Sequence, residues 1–213
     1  MKTDELITML ANGADAVERD VLLRRYATAL VCGACGAALL MLMTLGVRPD
    51  IAAAVLQPAF WLKFAFPVTL AAGALLAALR LSRPGMKLGR AGAIVAAPAV
   101  AVWLTAAVAL LAAVPEQRAQ SLLGASWATC SLSVAMLSVP LWLALFWAMR
   151  GLAPTRLALA GAAAGLLAGA VSAAIYSLHC TEMTAPFLGV WYVLGMLIPA
   201  AAGALLGPRL LRW

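Results

Sequence analysis

From residue 27 onward the chain alternates between long apolar stretches and short polar interruptions. The apolar stretches cover 27–47, 58–79, 92–114, 126–149, 155–176 and 186–207. Each has about the 20 residues that an α-helix needs to cross a hydrocarbon core. The interruptions "RPDIAAAVLQ", "RLSRPGMKLGR", "PEQRAQSLLG", "RGLAPT" and "SLHCTEMTA" are connections, too short to fold as domains. Strands of a membrane barrel would alternate in polarity over about ten residues, whereas these stretches are apolar on every face. The pattern predicts an all-α fold, a polytopic bundle of six transmembrane helices over residues 27–213.

The first 26 residues follow another pattern. Thr3 is placed to cap a short helix, with Asp4 and Glu5 favourable in its first turn. Leu6, Ile7, Met9 and Leu10 give that helix an apolar cluster, and "NG" at 12–13 ends it. Asp15 and Glu18 have capping-box spacing for a second short helix carrying Val17, Val21 and Leu22. A segment this short cannot bury its own apolar residues. It either lies on the membrane surface or docks in a groove of another protein. Interfacial helices favour a basic polar face, and this one is acidic, which favours a cytoplasmic protein partner. Leu6, Ile7, Leu10, Val17 and Val21 are its candidate anchors.

Composition agrees with the bilayer as solvent. The 213 residues are 65% hydrophobic and 11% charged, against about 25% charged in soluble domains. Lys and Arg gather on the cytoplasmic side of membrane proteins. With the N-terminus inside, Lys2, Arg19, Arg24, Arg25, Arg80, Arg83, Lys87, Arg90, Arg150, Arg156, Arg209 and Arg212 lie inside, while Arg48, Lys63 and Arg118 lie outside, 12 against 3. Both termini are expected in the cytoplasm. Topology thus accounts for the net charge of +7, and no nucleic-acid partner is called for.

Candidate chemistry concentrates in "LHCTEM", residues 178–183, in the last extracytoplasmic loop. It holds the single histidine, His179, beside Cys180, followed by Glu182 and Met183. "GASWATC" places Cys130 on the same face at a similar depth. Thiolates and imidazole suit soft or borderline metals, and extracytoplasmic thiols can also pair as a disulfide. Two small residues at helix ends is the competing reading of the cysteines, and an ordinary loop position that of His179. Cys32 and Cys35 in "CGACG" sit near the opposite face among Gly33, Gly36 and Ala37, where small residues serve close helix packing.

Other chemistry is sparse. None of the eight acidic residues falls in mid-span, which argues against an ion-coupled carrier. Lys63 in "FWLKFAF" is near a span end, where a lysine can snorkel to the interface. The chain has no nucleotide-binding loop, no nucleophile elbow and no H-E-x-x-H. No enzyme activity and no resident cofactor are expected.

The segments "MKTDELITMLANGADAV", "RPD…PAFWLKFAFP", "SW…C", "RGLAPTRLALAGAAAGLLAG" and "LHCTEMTAPFLGVWYVLGMLIPAAAGALLGPRLLRW" together resemble the NrsF family over essentially the whole chain. The resemblance implies a six-span inner-membrane negative regulator of an extracytoplasmic-function sigma factor, held by the cytoplasmic segment 1–26. It further implies that Cys130 and Cys180 sense heavy metal or oxidant by transient soft-metal binding or disulfide formation. His179 is then a candidate third metal ligand. Cys32 and Cys35 are not part of that pattern. The alternative reading is a small-solute or metal transporter with a regulatory N-terminal tail.

Overall fold

A computed structural model describes residues 3–12, 20–152 and 154–212. The elements are α1 (Thr3–Asn12), α2 (Val21–Thr44), α3 (Ile51–Ala54), α4 (Pro58–Leu81), α5 (Ala91–Ala112), α6 (Pro115–Leu123), α7 (Trp127–Arg150), α8 (Leu157–Tyr176), α9 (Ala185–Phe187), a π-helical segment (Leu188–Tyr192) and α10 (Val193–Leu210). Among the described residues there is no strand, and six helices are long and apolar enough to cross a membrane.

Boundaries depart from the apolar pattern in three places. The first long helix begins at Val21 rather than 27, because Arg24 and Arg25 continue the helix beyond its apolar run. Val21 therefore opens α2 and is not part of a separate tail helix. The connection "PEQRAQSLLG" forms α6, started by Pro115 at its first turn and ended by Gly124 at φ 57°. The last long helix starts as α9 and passes through a π-helical turn before α10. Pro67, Pro98, Pro140 and Pro199 all lie inside long helices.

Helix α8 is the axis of the bundle, the most buried of the long helices, packed against α10, α4 and α7. Gly161, Gly165 and Gly169 recur every four residues along it, opposite Pro199, Gly203 and Gly207 of α10. A Cβ at Gly161 would land on the Gly203 carbonyl oxygen, and one at Gly165 on the Pro199 carbonyl oxygen. The two backbones therefore touch, the close helix approach that small residues permit. Helix α2 approaches α7 in the same way, with Gly33 against Leu141, where a Cβ would meet the Leu141 Cα at 2.7 Å. Cys32 and Cys35, flanking that contact, turn outward and are exposed.

Among the described residues, helix α1 takes no part in the principal helix packings. Ile7 is 58% exposed on it. Leu6 and Leu10 fall on α1 by position, but their side chains are outside the described residues, as are Val17 and the Asp15–Glu18 capping box.

Candidate functional site

Four segments meet where α4 and α7 begin, α8 ends and the π-helical turn lies. Helix α8 ends at Tyr176, and the chain makes further helical turns, with His179 N–H and Cys180 N–H both bonded to the Tyr176 carbonyl at 3.0 Å. This turn folds Cys180 back under the bundle end instead of releasing it into a loop. Cys130 lies in the first turn of α7. The two cysteines, 50 positions apart, fall in one buried cluster with Tyr176, Phe187 and Tyr192. Both are free thiols, 0% and 3% exposed for Cys130 and Cys180.

The loop that carries Cys180 is held by cations. The Lys63 ammonium donates to the Cys180 carbonyl at 2.6 Å, and Arg48 Nη1 approaches the same oxygen at 3.4 Å. Arg48 is itself clamped to Asp50 by two hydrogen bonds of 2.7 and 2.6 Å. These bonds hold the Asp50 carboxyl below its usual range. Lys63 corrects the sequence expectation. It does not snorkel outward but is 0% exposed, with its ammonium 5.5 Å from the centre of the Tyr192 ring. Lys63, Cys130 and Cys180 lie close enough to interact electrostatically. The Tyr192 hydroxyl is buried beside Ser177 and Cys180.

The π-helical turn brings Tyr192 here. Such turns leave main-chain carbonyls free for other donors. The Gly189 carbonyl accepts from Trp103 Nε1 and the Trp191 carbonyl from the Ser131 hydroxyl, both at 2.9 Å. Those bonds tie the turn to α5 and α7.

His179 and Glu182 have other partners. His179 Nδ1 is 2.9 Å from the Gly46 carbonyl. A Glu182 carboxylate oxygen accepts the Ala125 N–H at 2.7 Å, just before α7. Among the described residues no three His, Cys, Asp or Glu side chains gather as a metal-binding group. In this conformation the site offers two thiols, with His179 on the rim.

Two openings reach the thiols' surroundings. A cleft of mixed character, about 270 Å³, is lined by Arg48, His179, Cys180 and Thr181 together with Leu45 and Val47. An apolar cavity, also about 270 Å³, is lined by Lys63, Phe66, Thr69, Pro98, Met183 and Leu188. Cys180 faces the first and Lys63 the second, so this bonded pair stands in the wall between them. Sequence reasoning placed both cysteines at one end of the bundle, but it sent Lys63 outward to the interface and did not single out Tyr176 or Tyr192. The available signal was Lys63 itself, a charge inside an otherwise apolar span.

The chain as a whole resembles known proteins. A family profile described as "Negative regulator of sigma F" matches residues 10–213. The "Probable anti-sigma-F factor NrsF" of Azospira oryzae is 54% identical over 213 residues, covering 100% of both chains. The "Anti-sigma-F factor NrsF" of Caulobacter vibrioides is 41% identical over 215 residues, again covering 100% of each. No solved structure matches. The chain belongs to the NrsF family, whose members are regulatory proteins rather than enzymes.

Proposed function

We propose that this protein is an anti-sigma factor embedded in the inner membrane, with both termini in the cytoplasm and its sensing site at the opposite face. Family membership supports a sigma factor as the partner; we assign that factor to the extracytoplasmic-function class. Residues 1–26 hold it, and α1 supplies the contact with an apolar side chain exposed at Ile7 and acids Asp4 and Glu5 in its first turn. A soft metal ion or an oxidant enters by the cleft that Cys180 lines. Loading the two sulfurs shifts the ends of α7 and α8 and lowers the affinity of the tail.

One observation carries the sensing half of this reading. Two free thiols distant in sequence are buried in one cluster, and one of them, Cys180, lines a surface cleft. Thiolates prefer Cd²⁺-like cations to Mg²⁺. A 100-fold loss of affinity for the sigma factor needs about 2.7 kcal/mol of coupling, within reach of a bis-thiolate metal site.

The test uses the full chain co-purified with its sigma factor in lipid nanodiscs. Cd²⁺ or hydrogen peroxide should release the partner from the natural sequence. Cys130→Ser and Cys180→Ser should each keep it bound under the same exposure. Release from the double variant equal to that from the natural sequence would overturn the sensor.

A further inference from the structure

At the end of the bundle opposite the thiols, the start of α2 lies beside the end of α7. A cleft of about 410 Å³ opens there, lined by Arg25, Trp147, Ala148, Arg150 and Gly151. Arg25 comes from α2, and the rest from α7 and its C-cap. Among the described residues no acid lines it. Neither arginine has a carboxylate partner among them; the one salt bridge there joins Arg48 to Asp50. Two cations that converge across a cleft repel each other, and an anion seated between them turns that repulsion into attraction.

Both cations are held in place. Arg150 Nε donates to the Leu210 carbonyl at 3.0 Å, which ties its guanidinium to the end of α10. The donors on its terminal nitrogens are separate from that bond. Arg25 lies across Gly151, where a Cβ would overlap its guanidinium. The guanidinium fork matches the oxygens of a phosphate two at a time.

An apolar track leads away from the cleft. Trp147 is 68% exposed, and Leu143 and Val139 precede it at helical spacing along α7, exposed as well. The track runs from the charged end toward the middle of a helix long and apolar enough to cross a membrane. A free phosphate or an acidic peptide has no use for such a track, whereas a phosphate that carries acyl chains does. Tryptophan suits the boundary between headgroups and chains, with one end apolar and the other wet.

We propose that this cleft binds the headgroup phosphate of an anionic phospholipid, held by Arg25 and Arg150, with an acyl chain laid along Trp147, Leu143 and Val139. Basic pockets between helices at the cytoplasmic side take such headgroups. The proposal rests on the membrane-embedded reading above, with this end in the cytoplasm. The lipid bridges α2, which follows the tail, to α7, which carries Cys130 at its other end.

The test measures lipid retention on the full chain in detergent micelles by native mass spectrometry, with phosphatidylglycerol and phosphatidylcholine titrated separately. Phosphatidylglycerol should bind about tenfold more tightly than phosphatidylcholine. Arg25→Gln with Arg150→Gln should erase that preference. Gly151→Ala, whose Cβ displaces the Arg25 guanidinium without altering any charge, should weaken phosphatidylglycerol binding several-fold. Arg83→Gln with Lys87→Gln removes two exposed cations from the α4–α5 connection and should change nothing. Equal losses in the two double variants would mean diffuse attraction and overturn the site. Displacement of phosphatidylglycerol by millimolar inorganic phosphate would assign the cleft to a free phosphate and overturn the lipid. So would loss of sigma-factor binding in the Arg25/Arg150 variant with lipid retention unchanged, which would assign the cleft to an acidic surface of the partner. Micelles have no sides, so the orientation fails separately: a C-terminal reporter found outside the cytoplasm overturns the topology, while an intact phosphatidylglycerol preference keeps the site.

Discussion

Gly165→Ala tests whether the α8–α10 seam holds the cysteine site together. The added Cβ would fall on the Pro199 carbonyl oxygen, with the Pro199 carbonyl carbon at 2.7 Å and the Ala200 Cα at 2.8 Å. All three are backbone atoms, so no rotamer change relieves the contact. Carbon atoms pack comfortably at about 3.5–4.0 Å and the oxygen contact is closer still, so the helices must part by roughly 1 Å or more. Overpacking of this kind costs about 1–3 kcal/mol. Better helix propensity returns about 0.8–1.0 kcal/mol, leaving a net loss of up to about 2 kcal/mol, at the upper end where the neighbours are rigid backbone. Gly92→Ala is the internal control. Its Cβ would meet only the Leu88 Cδ2 methyl, at 3.1 Å, and the propensity gain should win. Equilibrium unfolding of the purified chain in mixed detergent should rank Gly165→Ala below the natural sequence and Gly92→Ala at or above it. Because α8 leads into Cys180 and α10 follows Tyr192, the parted seam should also speed alkylation of Cys180. A Gly165→Ala protein as stable as the natural one would refute the backbone-contact argument.

Ile7→Asp should weaken sigma-factor binding at least tenfold, by about 1.4 kcal/mol or more, and leave bundle unfolding unchanged, since Ile7 is exposed on α1; calorimetric titration and unfolding measure the two effects separately. Glu182→Ala removes the acceptor of the Ala125 N–H, and hydrogen exchange of the α6–α7 turn should quicken several-fold, whereas unaltered exchange would mean that the carboxylate does not order that turn. Asp50 has a folded-state pKa lowered chiefly by its hydrogen bonds from Arg48, so its support of the α2–α4 connection is complete above an ordinary carboxylate pKa of about 3.9. That support is lost only as pH falls through the lowered value. Protection of this connection should be flat between about pH 5 and 8 and fade in acid, and Asp50→Asn should abolish the acid step; a loss centred near neutral pH would point to another group.

Much of the architecture was legible because length and apolarity are sufficient signals for helices long and apolar enough to cross a membrane. Six runs of about 20 apolar residues became the six long helices, and the polar connections fell where the runs stop. Membership of the NrsF family was legible from whole segments, and the comparisons bear it out. Helix ends were less legible. Arg24 and Arg25 look like a membrane edge in the sequence, yet the backbone hydrogen bonds of α2 run through them, because a helix does not stop where its apolar surface does. The π-helical turn at Leu188–Tyr192 left no mark in the apolar pattern, since it changes the ladder without changing the residues' polarity.

The sequence by itself determined the helices, the end of the bundle at which Cys130 and Cys180 belong, and a family. Tertiary structure alone decided what faces inward. In a water-soluble helix the apolar stripe reports its buried face, but these helices are apolar all round, so polarity does not mark the packed side. The inward face is chosen by fit: Gly33 admits Leu141 while Cys32 and Cys35 look out, and the glycines of α8 admit the backbone of α10. The same choice put Lys63 inside. From sequence, a lysine near a span end has an inexpensive route to water. The bundle gave it instead the Cys180 carbonyl and the Tyr192 ring, and two distant thiols for neighbours, because only the packed α4, α7, α8 and α10 bring those groups to one point.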